Sequence, residues 1–244
     1  MSAPRRALAH ARWEARLLLR NGEQVLLTLV IPVGIMLGLT LTDVFVQSDG
    51  DDRVARALAT VLAVSVISAA FTSLAIATAF ERRSGALRFL GTTPLTRTEL
   101  LSGKALATLL MTALSAGAAC ATALAVGWRP VAGSAWAVPV VVVGTATFAA
   151  WGMALAGLLR AEAVLAVANG VFLFLLMFGG VVIPAASLPG PLAVLAPWLP
   201  SGALVEALSA AVVDGSAPTW TSIGILLVWA AVGTGLAART FRWS

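Results

Sequence analysis

Charged side chains are scarce in this sequence: Asp, Glu, Lys and Arg make up 11% of 244 residues, while 59% are hydrophobic. A soluble globular domain carries about 25% charged and about 45–50% apolar residues, so water is excluded as the main solvent. Cysteine and histidine are scarcer still. Cys120 is the sole cysteine and lies in an apolar run, which excludes an intramolecular disulfide and a thiolate metal site. His10 is the sole histidine and sits near the N-terminus, so no histidine-based metal or acid–base centre fits inside the apolar spans. No G-x-x-x-x-G-K-S/T loop occurs; Gly103-Lys104 lacks both the upstream glycine and the hydroxyl after the lysine. The acidic residues lie at or beyond the ends of the apolar runs, which speaks against intramembrane proteolysis by paired aspartates and against an ion-coupled carrier.

What is present is a series of continuous apolar runs, each near the ~20 residues that a helix needs to cross a ~30 Å hydrocarbon core. They do not alternate at period two, so helices are expected and not barrel strands. The fold class read from this is an all-α polytopic membrane protein. It would have an N-terminal interfacial amphipathic helix, six transmembrane helices, and a broken re-entrant segment between spans five and six. The spans are placed at 25–42, 54–80, 105–126, 136–159, 163–183 and 219–238, in a single domain over 1–244. The first run is too long for the apolar core of a signal peptide and no small-x-small site follows it, so it reads as a retained span. Between Pro184 and Pro200 stand five prolines, which no straight helix accommodates. Segment 184–213 is therefore read as short helices dipping into the outer leaflet.

The net charge of +5 does not form a nucleic-acid patch, because the basic residues sit in short segments between apolar runs. Thirteen of them fall on the side that holds both termini, and three (Arg53, Arg56, Arg129) on the other. That bias predicts cytoplasmic termini in a plasma membrane, and the Arg- and Ala-rich usage suggests a bacterial one. In segment 5–20, Arg5, Arg6, Arg12, Arg16 and Arg20 share a sector of roughly 120° on a helix. Leu8, Ala11, Ala15, Leu18 and Leu19 lie opposite. This is the pattern of a helix in the headgroup layer of the lipid bilayer, preferred to a partly helical basic tail.

The longest hydrophilic stretch, 81–104, reads ERRSGALRFLGTTPLTRTELLSGK. It resembles the first cytoplasmic loop of ABC-2-type permeases, the membrane subunits of bacterial exporters of drugs, polyketides and cell-surface glycans. Glu81, Gly85, Leu87, Leu90, Thr93, Pro94, Arg97, Glu99, Gly103 and Lys104 fall on that pattern, and Ala86 stands where the family often has Thr. The Arg-rich entry helix, the Pro-containing first span and the proline-broken stretch after span five are similar to the family's as well. The resemblance implies that segment 81–104 couples to a soluble ATPase. A short helix carrying Leu87, Phe89 and Leu90 beside Arg82, Arg83 and Arg88 would dock into the ATPase, with Pro94 ending it. From the residues alone, a loop whose arginines merely set topology fits equally well.

The resemblance further implies two copies of an ABC ATP-binding subunit and a second permease, identical or paralogous, facing spans two and five. ATP and magnesium would then be held by the ATPase, with no cofactor on this chain. Ser65, Ser68 and Thr72 share one face of span two, and Asn169 and Phe172 begin the aromatic part of span five. They are candidates for a substrate path or permease interface, although packing between helices is the commoner use of such residues. The function expected is export of a hydrophobic or amphipathic substrate; the alternative is a membrane scaffold without a path.

Overall fold

The computed structural model describes residues 3–41, 51–90, 92 and 96–240, and every regular element among them is helical. Pro94, Thr93 and Arg242, together with most of the loop after the first span, lie outside the described residues. Helix α1 (Ala3–Arg20) is followed by α2 (Gly22–Leu41), which carries Pro32 in its interior. Next, α3 (Asp51–Val66) runs into a π-helical segment, Ile67–Ser73, and on into α4 (Leu74–Ser84). Gly85 ends α4 at φ 82°, a left-handed conformation that glycine adopts without a Cβ clash, and donates its N–H to Arg82 O. A short helix, α5 (Ala86–Leu90), then leads toward α6 (Arg97–Ala125).

The start of α6 is set by a capping box. Thr96 Oγ1 accepts from Glu99 N at 3.3 Å and Glu99 Oε2 accepts from Thr96 N at 2.8 Å, so two of the otherwise unpaired N–H groups are satisfied reciprocally. Helix α7 (Ala137–Leu158) and helix α8 (Ala161–Phe178) follow. Helix α8 stops at Phe178, short of the Ile183 expected from hydropathy: the Gly179-Gly180 pair breaks it, with Gly180 at φ 78°. The broken helices after it are α9 (Pro191–Leu195) and α10 (Pro200–Val212), joined through Ala196–Trp198 and bent by 73°. Pro191, Pro197 and Pro200 each stand in a first turn, where a missing N–H costs nothing. Helix α11 (Trp220–Thr240) is the last.

Five helical stretches among the described residues are long and apolar enough to cross a membrane; the span expected at 25–42 is not among them, its described apolar part being the shorter Thr28–Leu41, and the bent pair α9–α10 makes a sixth candidate. In the stretch Arg53–Ser84, 72% of the residues of its apolar 18-residue window are buried, and it forms the centre, packed by α6, α7, α8 and α10, whereas α8 and α11 have 22% buried in theirs and lie outside. Helix α7 is tied to α11 by Trp151 Nε1 donating to Trp229 O at 2.9 Å and Thr147 Oγ1 donating to Leu226 O at 3.1 Å. The result is an all-α polytopic membrane fold, as the hydropathy pattern requires.

Candidate functional site

Helix α1 packs along the first turns of α6, and the contact is made possible by Gly103. A Cβ there would lie 2.5 Å from His10 Cδ2 and 3.3 Å from Ala7 O, so the imidazole fills the space a side chain would need. The face of α1 turned to α6 carries His10, Ala11 and Glu14, while Leu8, Trp13, Leu17 and Leu19 stay exposed. The buried stripe thus keeps Ala11 of the aliphatic face but turns its Leu8 and Leu19 outward and takes His10 and Glu14 instead. Arg5, Arg12, Arg16 and Arg20 are all exposed on the far side.

Beside Gly103, the Lys104 ammonium is 2% exposed and held between two carboxylates, Glu14 Oε1 at 2.7 Å and Glu81 Oε2 at 2.6 Å. Arg6 reaches across from α1 and donates from Nε (3.0 Å) and Nη2 (2.7 Å) to Glu99 Oε1, the oxygen left over by the capping box. Three buried charged residues, Glu14, Glu99 and Lys104, therefore sit where hydropathy suggested only solvated loop and tail. Each has an opposite charge in contact, which is the condition for burying it. His10 Nε2 is 3.5 Å from Glu14 Oε1 and makes no hydrogen bond. Burial pushes its pKa below the ordinary value; Glu14 opposes the shift and Lys104 adds to it.

The other arginines of segment 81–104 have different tasks. Arg82 donates from Nη1 to Gly157 O at 3.1 Å and from Nη2 to Leu159 O, so its guanidinium caps the C-terminal carbonyls of α7. Arg83 pairs with Glu162 in the first turn of α8. Leu87 is fully buried against Leu100 of α6, flanked by Leu90 and Leu101. That anchor leaves Arg88 and Phe89 on the outer face of α5, Phe89 being 75% exposed; Arg97 is exposed as well.

Above the ionic cluster lies a cavity of about 540 Å³ between α1, α2, the α3–α4 stretch, α6 and α8. Glu14, Glu81 and Lys104 close one end of it. Ser65, Ser68 and Phe172 line it, and so do Pro32, Met111, Ser73 and Ala77. Ser65 Oγ accepts from Ser115 Oγ at 2.9 Å, a bond between α3 and α6. Thr72 does not line the cavity, although its spacing from Ser65 and Ser68 suits one α-helical face. The wider turn of the π segment moves the register on by one residue, so that Ser73 takes the position and Thr72 turns into the protein with its hydroxyl unpartnered. Asn169 is also elsewhere: it is exposed, and its Nδ2 donates to Leu165 O of its own helix at 2.8 Å.

Reading residues in sequence misses Glu14 altogether, since a single acid among arginines gives no signal. It also passes over the Thr96-Arg97-Thr98-Glu99 capping signature, which is legible as S/T-x-x-E. A comparison with curated proteins gives no match. A protein-family model described as "ABC-2 family transporter protein" matches residues 25–239. Because the match reaches from α2 into α11 and is not confined to segment 81–104, the chain belongs to the ABC-2 transporter family and is a multi-pass permease component of an ABC transporter.

Proposed function

We propose that this permease exports a hydrophobic or amphipathic substrate, powered by a separate ATP-binding subunit that grips α5. The family implies an association with such a subunit; the finer reading is that two copies of it, holding ATP and magnesium, work on two permeases, this chain and a copy or paralogue. The observation that carries it is the build of α5. A five-residue helix has little stability of its own, yet this one is anchored by fully buried Leu87 and displays Arg88 and Phe89 outward. A basic and an aromatic side chain on a braced surface suit a groove on a soluble partner. The bacterial plasma membrane with both termini inside remains the orientation that the arginine distribution supports.

The substrate class follows from the cavity, which is walled by apolar side chains and hydroxyls along its length. A scaffold without a path has no use for such a space. The exposed apolar side chains of α8, including Leu173, Phe174 and Phe178, leave a surface for lipid or for the second permease.

Co-purification of the tagged permease with candidate ATPase subunits tests the reading. Wild type should bring one down, and Arg88→Glu with Phe89→Ala should lose it while remaining monodisperse. A folded permease that binds no ATPase in either form would return the scaffold reading. Export by cells carrying permease and ATPase together, against cells carrying neither, then tests the substrate class.

A further inference from the structure

We propose that the cavity takes an amphipathic organic cation, with its charged head at the Glu14–Lys104–Glu81 end and its apolar body along Pro32, Met111 and Phe172. The inference rests on reading this cavity as the transport path. It is carried by the charge count of the cavity's lining. Among the described residues, two carboxylates and one ammonium leave the lining a net charge of −1 when ionised, and no arginine or second lysine lines the space. His10, packed behind Glu14, is held toward its neutral form and supplies no compensating charge.

The single ammonium has no room for an anion. It is 2% exposed, and its contacts at 2.7 and 2.6 Å commit it to Glu14 and Glu81. Each of those carboxylates uses one named oxygen on Lys104 and keeps acceptor capacity on the other. Glu81 is the accessible one of the pair, with its side chain 31% exposed against 9% for Glu14. A ligand ammonium or other organic cation entering the cavity therefore meets Glu81 first. Low-dielectric walls strengthen that attraction relative to open water.

Shape agrees with charge. The lining runs from Val61 to Glu81 along one continuous helical stretch, roughly 30 Å at ~1.5 Å per residue. A volume of about 540 Å³ lies in the range of sites for drug-sized ligands, roughly 300–1,000 Å³. Ser68 and Ser73 give the body of the slot scattered hydroxyls without further charge. One charged end and a long, weakly polar flank match an elongated cationic amphiphile, and they disfavour acidic glycans and carboxylates.

The test uses two elongated probes of nearly the same shape and opposite head charge, dodecyltriphenylphosphonium and dodecyltriphenylborate. Full-length permease in lipid nanodiscs is dialysed to equilibrium against each labelled ion, with empty nanodiscs subtracted. Two variants accompany wild type. Glu81→Gln removes the net charge. Ala77→Lys places a second ammonium on the cavity wall one turn before Glu81, at an exposed position within i, i+4 reach of the Glu81 carboxylate. Wild type should bind the phosphonium. Both variants should weaken it by about tenfold or more and leave the borate unchanged or tighter. If Glu81→Gln fails to fold, Ala77→Lys alone decides. Variants that hold the phosphonium as tightly as wild type would overturn the cation assignment while leaving the cavity as a path. If neither ion binds wild type beyond empty nanodiscs, the path reading and the cation assignment fall together.

Discussion

Lys104 shows how a single side chain can be required without being reachable. Removing its charge by Lys104→Met leaves Glu14 and Glu81 facing each other with no cation between them. The expected loss is about 3–5 kcal/mol, read as a fall in thermal unfolding midpoint, and adding Glu14→Gln and Glu81→Gln should recover most of it. Gly103 is tested differently. Gly103→Ala brings a methyl to 2.5 Å from His10 Cδ2 and should cost about 1–3 kcal/mol, which His10→Ala in the same chain restores. His10 also makes the α1–α6 contact sensitive to pH. Its pKa in the folded protein is lowered from the ordinary 6.5, mainly by burial. A depressed histidine binds fewer protons when folded than when unfolded. Its contribution is therefore complete above pH ~6.5 and lost as pH falls from there through the folded value. Cross-linking of α1 to α6 should weaken with acidification over that window, and His10→Ala should flatten the dependence.

At the scale of elements, α5 and the π segment carry the most information. Leu87→Ala should release α5 from Leu100, seen as faster hydrogen exchange over residues 86–90. It should also weaken ATPase capture although Leu87 lies on the opposite face from Phe89. The π segment is held by α7: a Cβ on Gly152 would sit 2.8 Å from Phe71 O and 3.0 Å from Ala70 O. Gly152→Val should therefore separate α7 from this segment and destabilise the protein by about 1–3 kcal/mol, measured by thermal unfolding. These two elements differ in how far the sequence announces them. Helices as such are legible, because apolar runs of spanning length admit little else. So is the stop of α4 at Gly85 and the placing of prolines at helix starts. The register change at Ile67–Ser73 is not legible, since nothing in ISAAFTS departs from a helical apolar run. The segment packs against Gly152 of α7, a contact between positions far apart in sequence, and its register decides that Ser73 and not Thr72 meets the cavity. Glu14 escapes for a related reason: its partner Lys104 stands 90 positions away, on α6, and only the docking of α1 brings the two together.

For the whole molecule, the arginines of segment 81–104 divide into two groups with different reach. Arg88 and Arg97 face outward, whereas Arg82 and Arg83 tie the end of α4 to the α7–α8 turn. On the proposed docking, a push on α5 would pass to α4, α6, α7 and α8 and not to one helix, which favours rigid-body motion over local fraying. Arg82→Ala should leave ATPase capture intact while lowering transport per ATP hydrolysed, as measured in reconstituted vesicles. The Lys104–Glu81 pair has a consequence for biogenesis. A lone lysine opposes entry of a helix into lipid by up to about 2.5–3.5 kcal/mol, and less near the helix end. Its first partner, Glu81, arrives at the end of the preceding span, so α4 and α6 can leave the insertion machinery as a mutually neutralised hairpin. Glu14, translated earliest, would close the cluster last.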